Sequence, residues 1–151
     1  MEKRHVLNSD QVDSLVLDYY NGILVASDNE ITFQLLDDLL NNDAPLVKSL
    51  YFWSFNKIVL SSDGALAEIL GPYCRRRLLK DSPYVLDYLR INPALEEDYL
   101  LFLADEFLND RSLSLSGFKK VLRGQCNRKV EPYLQSFLDK LEGLISSLED
   151  E

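Results

Sequence analysis

The sequence predicts an all-α fold, a multi-helical bundle of seven to eight helices, and three observations carry that expectation. Apolar residues recur at helical spacing along nearly the whole chain. Polar residues followed by proline, in Asp43-Ala44-Pro45, Ser82-Pro83 and Asn92-Pro93, punctuate the pattern as helix starts do. No run alternates with the two-residue period of a strand. With 151 residues, 46% of them hydrophobic, the chain has the length and apolar content of one packed domain. That domain is expected over 9–151, behind an N-terminal arm of residues 1–8.

Each expected element has a local reason. Val12, Leu15, Val16, Tyr19 and Ile23 form one apolar stripe, with Asn8 and Gln11 as a capping pair ahead of it. Ser27-Asp28-Asn29-Glu30 reads as a capping box opening a helix whose stripe is Ile31, Leu35, Leu36, Leu39 and Leu40, ending at Asn41-Asn42. Pro45 opens a third helix, apolar on nearly every side from Leu50 to Leu60, with Tyr51, Phe52, Trp53 and Phe55 among its residues. A helix greasy all round is a surrounded one, so this run is read as core.

Ser61-Ser62-Asp63-Gly64 is turn chemistry. After it the stripe Leu66, Ile69, Leu70, Tyr73, Cys74, Leu78 keeps phase through Gly71-Pro72, which predicts one kinked helix and not two. A short helix carrying Val85, Tyr88 and Leu89 follows, then a longer one with Leu95, Tyr99, Phe102, Leu103 and Phe107. Ser114 or Ser116 caps a helix bearing Phe118, Val121 and Leu122. The last helix has Val130, Leu134, Phe137, Leu141, Leu144 and Leu148 spaced as an a/d seam.

Leu39-Leu40 through Val47 also resembles Leu78-Leu79 through Val85, so the alternative architecture is a short HEAT-like helix-pair solenoid.

Charge is segregated along the chain. The total is −9, from 25 acidic and 16 basic side chains. Residues 1–70 hold 11 acids and 4 bases, 96–110 six acids and no base, and 111–130 six bases and no acid. A net-acidic chain repels nucleic acid at long range, so general DNA or RNA binding is disfavoured. The two cysteines, Cys74 and Cys126, lie on apolar faces and read as buried free thiols, which with the absence of an apolar signal-peptide core in residues 1–10 points to the cytoplasm. No stretch is long and apolar enough to span a membrane.

The usual catalytic patterns are missing. The six glycines are too scattered to cradle a phosphate, and the one histidine, His5, sits in the N-terminal arm, so no imidazole is placed to serve a Ser or Cys nucleophile. No cofactor or metal is implied. Among the carboxylates, Glu106 borders the Tyr99/Phe102 stripe and is the one expected to be partly buried, in a helix-to-helix ion pair. Arg75 and Arg76 face away from the apolar stripe and read as solvated, while Arg77 borders it.

What remains is binding. The leading expectation is a non-enzymatic protein-interaction module whose acidic N-terminal half, with Asp37 and Asp38 as candidate contacts, engages a basic partner. A small acidic protein that neutralises a basic toxin or nuclease is one form of it. Tyr84 and Tyr88, sharing a face at i, i+4, are further contact candidates. The alternative is a phosphate or nucleic-acid binder using Lys119, Lys120, Arg123, Arg128 and Lys129, unless that block is neutralised by the acidic 96–110 segment or by the last helix. A carboxylate-based enzyme centred on Glu106 is the third class.

Overall fold

A computed structural model describes residues 10–150. Among them the protein is all helical, with eight α-helices, one short 3-10 helix and no strand. The helices are α1 (Ser14–Tyr20), α2 (Glu30–Asn41), α3 (Lys48–Ser61), α4 (Gly64–Lys80), α5 (Ser82–Arg90), α6 (Pro93–Asn109), α7 (Leu115–Gln125) and α8 (Glu131–Glu149), with the 3-10 turn Pro45–Val47 leading into α3. The chain divides into two compact units, Met1–Ile69 and Leu70–Glu151. The division falls inside α4, which runs unbroken through the exposed Pro72. The residues expected to form the arm, with His5 and Asn8, lie outside the described residues.

In the first unit α3 is the core element. Leu50, Tyr51, Phe52, Phe55, Ile58 and Val59 are all buried, with Leu35, Leu36, Leu39 and Leu40 of α2 and Val16 of α1. Trp53 is half-buried, tilted against Tyr20, and Lys57 lies 5.1 Å from its ring centroid. The α3 cation is thus held over aromatic faces, where the ring quadrupole attracts it.

Thr32, Ser54 and Asn56 are buried polar residues of this unit, and Tyr51 brings a hydroxyl into the same core. Its hydroxyl donates to Asp13 Oδ2 (2.6 Å) and accepts from the Asp13 backbone N–H (2.7 Å). Asn42 completes the knot, donating to the Gln11 carbonyl (2.8 Å) and to Asp13 Oδ2 (3.2 Å), while its own Oδ1 accepts from Ala44 N–H (3.0 Å). One asparagine therefore ends α2, ties down the approach to α1 and shapes the turn into α3.

Two local expectations fail here. Ile23 does not extend the α1 stripe. Gly22 adopts φ +76°, its N–H bonds to the Tyr19 carbonyl and the Ile23 N–H to the Asp18 carbonyl. That is a Schellman stop, which a glycine in the left-handed region permits. Ile23 is left in the loop at 74% exposure and Val25 at 76%. The α2 cap is Asn29 and not Ser27: Asn29 Oδ1 accepts from Thr32 N–H (2.9 Å), and Ser27 Oγ instead accepts from Asn29 Nδ2 (2.7 Å). The helix consequently starts later, Thr32 is buried and Ile31 faces outward.

In the second unit α6 and α8 make the most extensive helix pairing, between Leu95, Tyr99, Leu103 and Leu134, Phe137, Leu141, all buried. Glu96, in the first turn of α6, binds two α8 side chains, the Tyr133 hydroxyl and Lys140 Nζ (2.6 Å). Both half-exposed Leu144 and Leu148 lie on the outer stretch of the seam.

The two proline starts that resemble each other in sequence are built differently. Pro45 enters a 3-10 turn. Ser82 is not itself a cap: its N–H (3.1 Å) and hydroxyl (2.7 Å) both donate to Gln125 Oε1, a side chain from the end of α7. Gln125 Nε2 in turn donates to the Leu79 carbonyl (2.6 Å), so one amide joins the end of α4, the start of α5 and α7. Cys126 is only half-buried, beside Ser82 Oγ at 3.8 Å, and both cysteines are free.

Gly71 sets the spacing of α4 and α6. A Cβ there would lie 2.6 Å from the Phe102 carbonyl oxygen and 2.9 Å from Glu106 Cβ. The first contact is backbone, so the helices would have to separate.

Two outcomes follow. Gly71→Ala lowers unfolding stability by about 1–3 kcal/mol, despite the better helix propensity of alanine, in a urea titration. Burial above all pushes the Tyr51 hydroxyl up to about 12, with the Asp13 carboxylate adding to the rise and the Asp13 N–H opposing it. The stability tied to its proton is therefore complete below the ordinary value of 10.0 and lost as pH climbs through the folded value. Tyr51→Phe costs about 1–2 kcal/mol at neutral pH, by leaving Asp13 under-bonded, and flattens the alkaline loss.

Candidate functional site

Charge and exposed apolar surface together define the candidate in the first unit. Its described residues carry ten acidic side chains against Lys48 and Lys57. Asp37 and Asp38 are both half-buried on α2, and Asp38 accepts from Gln34 Nε2 (2.8 Å), one turn away. The loop between α1 and α2 holds Ile23 and Val25 out in solvent, with Asp28, Glu30 and Ile31 also exposed. A large apolar residue alone at a surface is ordinary; here three lie within nine positions, among carboxylates.

The second unit holds the basic candidates, and α8 takes up part of them. Lys119 pairs with Glu142, and Arg123 Nη2 reaches Gln135 Oε1 at 3.4 Å. Lys120, Arg128 and Lys129 are exposed. Lys129 also lines a hollow of about 260 Å³ with Arg90, Leu86, Val130 and Tyr133, where Arg90 is bonded to Asp87 at 3.0 Å. The five bases thus do not converge on one point. Tyr84 and Tyr88 are half-buried and exposed on α5.

A larger cleft, of about 320 Å³, lies between α4, the end of α6 and α7, lined by Arg75, Leu79, Phe107, Leu113, Phe118 and Val121. Phe107 and Phe118 meet edge to face with centroids 5.3 Å apart, forming its floor. Ser114 caps α7 at its edge, its hydroxyl accepting from Gly117 N–H (3.0 Å). Sequence reasoning missed this site. The signal present was Val121: with Phe118 and Leu122 it makes an apolar arc too wide for one packing partner, and its side stands 44% exposed.

Arg75, expected to be solvated, is not. Its Nε bonds to Glu106 Oε1 at 2.9 Å and only about a quarter of the side chain is exposed. Glu106 is the buried carboxylate the sequence pointed to, at 8% exposure, and it does make the inter-helix pair. Its other oxygen is buried without a hydrogen-bond partner. Arg77 is buried, and Arg76 lies 5.6 Å from the Tyr73 ring centroid. Burial also raises the Cys74 thiol, and the carboxylates of Glu106 and Asp98 raise it further, so this thiol is held protonated and inert. Among the described residues no three His, Cys, Asp or Glu side chains gather as metal ligands, and no helix is long and apolar enough to cross a membrane.

Compared with protein families, curated proteins and solved structures, the chain matches none. Its function is argued from its own geometry.

The buried pair gives a pH test. Burial raises the Glu106 carboxyl above its ordinary 4.5, with the Arg75 hydrogen bond pulling the other way. The folded chain binds this proton more tightly than the unfolded one, so the associated stability is complete below the ordinary value and is lost as pH rises through the folded value. Glu106→Gln abolishes that term: in urea unfolding the variant gains relative to the parent as pH rises above the ordinary carboxyl value of 4.5. Arg75→Ala, which strands the carboxylate, costs about 2 kcal/mol or more at neutral pH.

Proposed function

We propose that this protein is a protein-binding module whose acidic N-terminal unit docks a cationic, partly apolar surface of another protein. The carrying observation is that charge segregates by unit. Ten acids and two bases stand in the described residues of the first unit, against thirteen acids and twelve bases in those of the second. An excess confined to one unit gives that surface a directed field, which steers an oppositely charged partner into encounter. The exposed Ile23, Val25 and Ile31 then supply the desolvation that charge alone does not. A basic toxin or nuclease held inactive by such a surface is one form the pairing takes.

The test uses a fluorescent helical Lys/Ala peptide bearing a leucine stripe, titrated against the protein by anisotropy at several salt concentrations. Reversing charge with Asp37→Lys and Asp38→Lys together weakens binding roughly tenfold at low salt and flattens the salt dependence. Ile23→Asp with Val25→Asp weakens it at every salt concentration. Unchanged affinity and unchanged salt slope in both variants would remove this surface from the reading.

A further inference from the structure

We propose that the cleft of the second unit is a separate docking site, for an acidic amphipathic segment of a partner protein that inserts apolar side chains between α4 and α7. Three observations support a site here. The cleft is built from Leu79, Phe107, Leu113, Phe118 and Val121, so what fills it is apolar. At about 320 Å³ it is at the lower end of ligand-site volumes, suited to one or two side chains and not to an extended cofactor. Val121 is exposed on its rim although every neighbouring apolar position of α7, Phe118 and Leu122, is buried.

Charge then selects the occupant. Arg75, the one base among the α4 residues that line the cleft, is held by Glu106, while the α7 side, residues 111–125, has four bases and no acid. The acids nearby belong to the third wall, where Glu106 is bound by Arg75 and Asp110 Oδ1 accepts from the Ser112 N–H (3.0 Å) and hydroxyl (2.6 Å). A segment lying along α7 therefore meets cations at that rim. Arg111 stands two residues from Leu113, and Lys120 next to Val121, both exposed. Carboxylates flanking an apolar anchor satisfy both the floor and the rim; a cationic segment satisfies only the floor. This surface is distinct in sign and in unit from the acidic one, and does not depend on it.

The probe is a short helical Glu/Ala peptide with a leucine stripe, labelled and titrated by anisotropy, beside its Lys/Ala counterpart. The Glu peptide binds the parent. Val121→Asp, a substitution at an exposed position, weakens that binding roughly tenfold or more. Lys120→Glu with Arg111→Glu weakens it by a similar factor at low salt and by less at high salt. The Asp37→Lys, Asp38→Lys variant leaves it unweakened, which separates the fate of this site from that of the acidic unit. Circular dichroism matched to the parent certifies that each variant is folded. No binding of the Glu peptide at ~1 mM, equal binding of Glu and Lys peptides that Val121→Asp abolishes alike, or indifference to Val121→Asp would each overturn the proposal.

Discussion

Much of the second unit follows from one hydrogen atom standing where other residues have a methyl. At Gly71 the backbone of α4 comes so close to α6 that a Cβ would sit 2.6 Å from the Phe102 carbonyl oxygen. One turn further along α4, that approach brings Arg75 over Glu106, and the two close to 2.9 Å. Burying a carboxylate is costly unless a cation and a hydrogen bond come with it. The spacing that forces the burial therefore also supplies the compensation. Leu79 and Phe107, the next residues along the two helices, are then fixed as facing walls, and the cleft exists because α7 crosses over them.

The first unit solves a related problem with a neutral group. Its central helix is apolar nearly all round, and such helices leave their packing underdetermined, because any face is equally willing to be buried. Tyr51 breaks that degeneracy. Its hydroxyl has partners only in one orientation of α3, toward Asp13 and Asn42. Since Asn42 also holds the Gln11 carbonyl and Ala44 N–H, the orientation of α3 and the path of its two neighbouring chain segments are set together. Such a network specifies a unique arrangement only while every member is satisfied.

What could be read from the sequence and what could not divide along a physical line. Helix positions, the buried α3 run, the unbroken helix through Pro72 and the burial of Glu106 all depend on spacing within a single helix, which the chain displays directly. The misses depend on which of several competent groups wins a contact. Ser27 and Asn29 are both good caps, and the choice between them turns on Thr32 being drawn inward. Ser82 has the right position for a cap, yet Gln125, 43 residues away, takes both its donors. Arg75 and Arg76 are adjacent and alike; only the proximity of α6 at Gly71 decides that Arg75 is the one that turns in. Ile23 keeps perfect phase with α1 and is still outside it, because Gly22 ends the helix first. The cleft was invisible for the same reason: its residues come from three helices that share no periodicity.

The distribution of charge gives these details their functional weight. Salt bridges within the second unit, from Arg75 to Glu106, Lys140 to Glu96 and Lys119 to Glu142, pair part of its nearly equal acids and bases locally. Its cleft is a mainly apolar feature with the exposed Arg111 and Lys120 at its α7 side. Among the described residues of the first unit acids outnumber bases ten to two, and one of the two lysines is held over Trp53. Self-repulsion of that size lowers stability and is screened by salt. An opposite charge brought by a partner relieves it. In the proposed complex a cationic surface would offset that cost, so salt should stabilise the free protein while it weakens the complex.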